Sequence, residues 1–284
     1  MTTGGRLTSG RVASLTCNMK NLTVPLAFLI GAAALPAQQA KATLDCNNDR
    51  GGDHNRAHFC EMREQTVSAM GTISVDASQN GGISIKGWDR PDVLVRSQVR
   101  ANAPTDGEAQ DLVRQVNIQA AGPQVRANGP KTNNDRSWSV NYEIFVPTHY
   151  AATLETVNGG VSISDVSGNL ELKTVNGGLS LHNVGGYVHG RTTNGGVSVN
   201  LAGDHWEGHG LEVTTTNGGV SIKVPRNYSA QLEAQTSNGG IHVPDLAPAS
   251  VPGERQNHIS TALGRGGAVL KVTTTNGGVS VTRI

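Results

Sequence analysis

The tripeptide Asn-Gly-Gly occurs seven times in this chain, starting at Asn80, Asn158, Asn176, Asn194, Asn217, Asn238 and Asn276. Each copy opens an apolar-polar-apolar step, as in Val161-Ser162-Ile163, Leu179-Ser180-Leu181 and Val279-Ser280-Val281. Asn-Gly and Gly-Gly offer the positive φ angles of tight turns, and apolar residues two apart share one face of a strand. A repeated turn-plus-strand unit predicts a stacked array in which each unit buries its apolar face against its neighbours.

From Asn158 onward the first copies lie 18 residues apart, and each 18 divides into two nonapeptides, such as NGGVSISDV and SGNLELKTV. Two short strands and two turns per repeat describe one coil of a flattened β-solenoid, with coils about 4.8 Å apart. The expected fold is all-β, with the solenoid over residues 148–284 and a β-rich segment before it over 64–147. Within that segment Asp106 to Val116 reads as one short helix capped by Thr105 or Asp106, and Trp138 to Val146 as the clearest strand. The fourth and sixth positions of the nonapeptides should be buried: Val161, Ile163, Leu170, Leu172, Leu179, Leu181, Val197, Val199, Val220, Ile222, Ile241, Val243, Val279 and Val281. Ser162, Ser180, Ser198, Ser221, His242 and Ser280 should face outward.

The turn residues are Asn158 and Gly159, Asn176 and Gly177, Asn194 and Gly195, Asn217 and Gly218, Asn238 and Gly239, and Asn276 and Gly277. At least one glycine of each pair is expected at φ > 0, and each Asn is expected to bond within its turn or to the next coil's Asn. Thr156, Thr174, Thr192, Thr215, Thr236 and Thr274 each precede an Asn by two places, on the inward parity. There their hydroxyls would satisfy turn backbone groups. An ice-binding face needs outward Thr columns, so that reading is set aside.

With 23 basic and 22 acidic residues, the net charge of +1 gives no basis for capturing nucleic acid or an anionic membrane. Residues 1–42 read as a leader and export signal, with Met19 as the true start. Lys20 precedes the apolar run Leu22 to Leu35, and Ala40-Lys41-Ala42 offers a small-x-small cleavage site, with Ala37 as a competitor. The run is short for a membrane span, so no transmembrane segment is expected after cleavage, and the product would lie in the periplasm, on the surface or outside the cell. Removal of Cys17 leaves Cys46 and Cys60, which bound the segment 43–63 and should form one disulfide.

Chemistry-bearing motifs are few. No nucleophile elbow, P-loop or dinucleotide fingerprint is present. Calcium-binding β-rolls share the 18-residue coil but place Asp where this chain has apolar residues or Ser, and His54 and His58 between the cysteines fit no zinc spacing. No cofactor, metal or catalytic residue is therefore expected. Glu212 and Glu233 would stack one coil apart as the single carboxylate pair, yet a flat face supplies no cleft for glycoside chemistry. His205, Trp206 and His209 form the candidate binding loop, in which Trp206 either touches a sugar ring or plugs the edge of the core.

Taken together, these residues resemble a bacterial family of extracytoplasmic domains known by the name "putative adhesin", distantly like autotransporter adhesin heads. The matching runs are Gly87-Trp88-Asp89-Arg90-Pro91 before a strand, Tyr142-Glu143-Ile144-Phe145-Val146-Pro147, the Asn-Gly-Gly repeats, Trp206 to Leu211, and Leu263 to Gly267. The resemblance covers about residues 64–284 and implies adhesion to an unknown surface ligand, glycan or protein, with no family site residue to carry over. The leading expectation is a non-enzymatic interaction or structural protein. The alternative is a polysaccharide-active enzyme on the same scaffold, which would need acidic and basic side chains converging in one groove.

Overall fold

The structure, a computed structural model, describes residues 41–47, 56–244 and 257–284. Residues 1–40 of the expected leader and export signal, and most of the Pro-rich stretch Pro244 to Asn257, lie outside the described residues. No described helix is long and apolar enough to cross a membrane.

The chain opens with β1 (Ala57–Ser68), β2 (Thr72–Asp76), β3 (Ile83–Trp88) and β4 (Asp92–Ala103), followed by α1 (Asp106–Gln115). A small hairpin, β5 (Asn117–Gln119) and β6 (Gln124–Asn128), precedes β7 (Ser137–Pro147). Strands from the two sheets then alternate: β8 (Ala151–Thr156), β9 (Val161–Ser164), β10 (Ser167–Asn176), β11 (Leu179–His182), β12 (Gly185–Asn194) and β13 (Val197–Asn200). The pattern continues through β14 (Gly210–Asn217), β15 (Val220–Val224), β16 (Ala230–Asn238) and β17 (Ile241–His242). Last come β18 (His258–Leu263), β19 (Val269–Asn276) and β20 (Val279–Arg283).

These strands form two sheets, ordered β1-β4-β7-β3-β9-β11-β13-β15-β20-β17 and β18-β16-β19-β14-β12-β10-β8-β2-β6-β5. Each coil gives one strand to each sheet, and neighbouring coils pair in parallel, which is the flattened β-solenoid. The stack starts before residue 148, because β2 and β3 pair with β8 and β9 as a further coil carrying the first Asn-Gly-Gly. At that end α1 packs on β1 and β4, burying Ala109, Leu112 and Val113. Thr105 caps the helix by accepting from the Glu108 N–H.

The inward register follows the period-2 pattern. Every predicted inward residue is buried except Ile241, which is partly buried at the end of the stack. Each fully buried aliphatic side chain contributes about 1.5–3 kcal/mol relative to exposure. The six Thr residues are also buried. Each hydroxyl donates to the first-glycine carbonyl of an adjacent coil, as Thr192 does to Gly177 at 2.7 Å and Thr274 to Gly218 at 2.8 Å. The Asn side chains form a ladder through all seven coils, with Asn176 donating to Asn158 and Asn194 to Asn176, each at 2.8 Å. An amide carries both donor and acceptor, so one residue type propagates the ladder.

Two expectations are corrected here. None of the Asn-Gly-Gly glycines has positive φ. Their smallness is required by stacking: a Cβ on Gly159, Gly177, Gly195, Gly218, Gly239 or Gly277 would lie 2.0–2.1 Å from the neighbouring coil's glycine carbonyl oxygen. The coil order also departs from the chain order. The last coil, β19–β20, inserts between β14–β15 and β16–β17, and β18 closes the second sheet antiparallel to β16.

Candidate functional site

The outer face of the first sheet carries a long trough of about 1040 Å³ that crosses the strands of every coil. Its lining repeats coil by coil: the second glycine of each Asn-Gly-Gly, an apolar floor residue, and the outward Ser of the next strand position, with His242 in place of Ser at the far end. Gly178, Leu179 and Ser180 form one such step. These glycines, exposed except for the half-buried Gly82, have no side chain, so the strip stays open along the stack. Two places beyond each Ser, on the same face, the stacked column runs Lys86, Ser164, His182, Asn200, Lys223 and Thr282.

At the head of the trough lies Leu44, part of an extended strap over residues 41–46. A buried carboxylate holds this strap. Glu143, on β7, is 1% exposed and takes Lys86 Nζ on Oε1 at 2.7 Å and Arg96 on Oε2. The Thr43 N–H and hydroxyl each donate to Oε1 at 2.8 Å, and the Leu44 N–H donates to Oε2 at 3.2 Å. Burial would push the Glu143 carboxyl up, but the Lys86 hydrogen bond and the Thr43 and Leu44 donors outweigh it and hold it at about 2. Arg96 also bonds Glu64 at 2.7 Å, and Lys86 lies over the Phe145 ring, which stacks on Trp88. Cys46, at the end of the strap, is disulfide-bonded to Cys60 on β1, with Cα atoms 5.8 Å apart.

The strap site was not singled out from the sequence. Its one signal was a Glu at a non-core position of an otherwise uncharged strand, with Asn141 and Phe145 on the same parity. In the candidate loop, Trp206 takes the second of its two sequence readings and plugs the edge of the core. Trp206 is 4% exposed and part of the core, its Nε1 donating to the Gly186 carbonyl at 3.1 Å. A large apolar ring in a Gly-flanked loop gains more from covering the coil edge than from facing water. His205 and His209 remain exposed, His205 bonding Asp204 at 2.6 Å and His209 donating its backbone N–H to Gly186 at 2.9 Å.

Glu212 and Glu233 are not neighbours, which corrects their expected stacking. Lys271 stands between them in the sheet, bonded to Glu212 at 3.0 Å. Elsewhere on this face Lys173 pairs with Glu155 at 2.5 Å, as the register requires. Among the described residues, no three His, Cys, Asp or Glu side chains are grouped to hold a metal.

Two mostly parallel sheets wound coil on coil around an aliphatic core, with an open side-chain-poor face, define a β-solenoid domain. The chain belongs to the Toastrack DUF4097 family, whose profile matches residues 66–282. No curated protein matches the chain. Among solved structures it is similar to a "putative cell adhesion protein" from Clostridium sporogenes, at 10% identity and TM-score 0.45, covering 80% of this chain and 100% of that one. A "putative adhesin" from Bacteroides fragilis matches at 10% identity and TM-score 0.37, over 79% and 97% of the two chains. A "putative lipid binding protein" from Parabacteroides distasonis matches at 9% identity and TM-score 0.29, over 79% and 96%. At such identities these likenesses bear on neither ligand nor activity.

Proposed function

We propose that this chain is an exported, non-enzymatic, adhesin-like binding module that holds a neutral surface glycan lengthwise in the trough. The observation that carries this reading is the continuity of the trough, in which glycine and an outward polar residue recur at one register through every coil. Hydroxyls repeated at roughly 4.8 Å suit a polymer of hydroxylated units, and the bare glycines leave room for sugar ring faces. A peptide ligand would rather continue a ladder at a free strand edge, whereas the trough runs across the strands. Each step offers weak hydrogen bonds, so affinity rises with the number of coils engaged. No carboxylate lines the trough among the described residues, and glycoside cleavage commonly uses two.

Glycan-array screening followed by calorimetry tests the reading. Ser180→Trp and Ser198→Trp should each weaken binding about tenfold or more, a loss of about 1.4 kcal/mol, without moving the melting midpoint. Lys173→Ala, on the opposite sheet, should leave binding unchanged. Release of shorter saccharides would overturn the non-enzymatic reading, and binding indifferent to both Trp substitutions would remove the trough from it.

A further inference from the structure

We infer that the export signal is cut between Ala42 and Thr43, and that the α-ammonium released on Thr43 docks on the buried Glu143 carboxylate. The inference rests on the export reading but is carried by a separate observation, the distribution of bonds along the strap.

From Thr43 onward the strap is fastened at each residue. Thr43 donates twice to Glu143 and Leu44 once. The Gln98 amide bonds the Asp45 carbonyl, and Cys46 is tied to Cys60. Upstream of Thr43, one hydrogen bond among the described residues holds the strap, from Lys86 Nζ to the Lys41 carbonyl at 2.9 Å. The segment whose backbone is held by Glu143 begins at Thr43, the residue that follows Ala40-Lys41-Ala42, a small-x-small motif. The sequence motif and the start of the fastened segment thus meet at the same peptide bond.

Hydrolysis of that bond by a signal peptidase of the exporting host breaks the Ala42 carbonyl carbon to Thr43 nitrogen link. Water gives its hydroxyl to the Ala42 carbonyl carbon and one proton to the Thr43 nitrogen, and the amine takes up a second proton as the new Ala42 carboxylic acid ionises to carboxylate. The nitrogen that already donates to Glu143 Oε1 at 2.8 Å then carries positive charge. The α-ammonium and Lys86 share Oε1 while Arg96 holds Oε2. The cut also removes the Lys41 side-chain charge, so the strap's charge is unchanged but moves from an exposed residue onto a buried carboxylate. An ion pair at a 1% exposed carboxylate is far less screened than one in open water. Glu143 thereby acts as the receptor for the mature N-terminus and fixes Leu44 at the head of the trough.

The test is to express the full chain in an exporting host and determine the N-terminus and intact mass of the exported product. Its α-amine is then labelled with an amine-selective reagent at neutral pH. Thr43 at the N-terminus, labelled at least about tenfold more slowly than in Glu143→Gln, is the expected result. Should Glu143→Gln fail to fold, a variant with one Gly inserted before Thr43 displaces the amine by a residue and should label fast. An exported product starting at Gln38 would overturn this inference and leave export standing, whereas a retained Met1 or Met19 would overturn both. A Thr43 amine that labels as fast as the inserted Gly would overturn the docking.

Discussion

Lys271 donates to Glu212 at 3.0 Å although 59 residues separate them, because the last coil lies beside the coil of Glu212. Its other lateral neighbour is Glu233. The column Glu212, Lys271, Glu233 alternates in sign only in this order, and Glu212 raises the Lys271 ammonium above its usual range. Chain order would have set the two carboxylates together, where like charges across strands are unfavourable.

Lys271→Glu should therefore lower the melting midpoint at low ionic strength and recover much of the loss as salt is added, since the column is exposed. A salt-independent loss in thermal melts would show that the charge order plays no part.

The glycine requirement is one of space. Gly177→Ala places a Cβ 2.0 Å from the Gly159 carbonyl oxygen, while Gly240→Ala meets nothing within 4 Å. The first should cost more than about 2 kcal/mol and the second less than about 0.5 kcal/mol in urea unfolding. Equal costs would return the argument to backbone conformation.

Thr192 is fully buried and donates to Gly177. Thr192→Val keeps the shape and removes the donor, so it should cost about 1–3 kcal/mol, the penalty for an unsatisfied buried carbonyl. Thr192→Ser keeps the bond and should cost less. The pair, compared by denaturant titration, separates the hydroxyl from the methyl.

Glu143 links the strap to pH. Its folded pKa, about 2, lies below the ordinary carboxyl value, so its contribution is complete above about pH 5 and is lost as pH falls towards 2. The shift corresponds to about 3 kcal/mol. Glu143→Gln should remove that part of the acid dependence, measured by unfolding across the window, and destabilise at neutral pH because Lys86 and Arg96 lose their carboxylate.

The strand register was legible because alternation has a period of two, and a slip of one residue would have put Ile163 in water and Ser162 in the core. The Thr and Asn columns were legible for the same reason, each recurring at a fixed offset. The function of the glycines was not, since the residue type that permits positive φ also permits close approach, and only the stacked neighbour separates the two. Nor was the coil order. Every Asn-Gly-Gly unit presents the same ladder to either neighbour, so local sequence does not choose between Asn217 beside Asn238 and Asn217 beside Asn276. The charges of Glu212, Glu233 and Lys271 held that information, yet they read as isolated exposed residues until the sheet placed them side by side. The trough was half visible, its Ser column evident but its bare glycine strip concealed in residues assigned to turns.

The inserted final coil has a consequence for how the chain is made. Synthesis delivers residues from the N-terminus, so each coil up to β14–β15 finds its native neighbour already present. The coil of β16 and β17 does not, because the strands it pairs with, β19 and β20, are the last to emerge. Ala230 to His242 must wait, and β18 with it, until the C-terminal residues slide into place between coils made earlier. A chain truncated before Val269 lacks the coil that joins β14 to β16, so it loses two lateral contacts in the second sheet at once. Completion of this domain is thus a single late event, and an unfinished or clipped chain is left with four unmated strand edges, those of β14 and β16 in one sheet and of β15 and β17 in the other, by which a cell's proteases can recognise it.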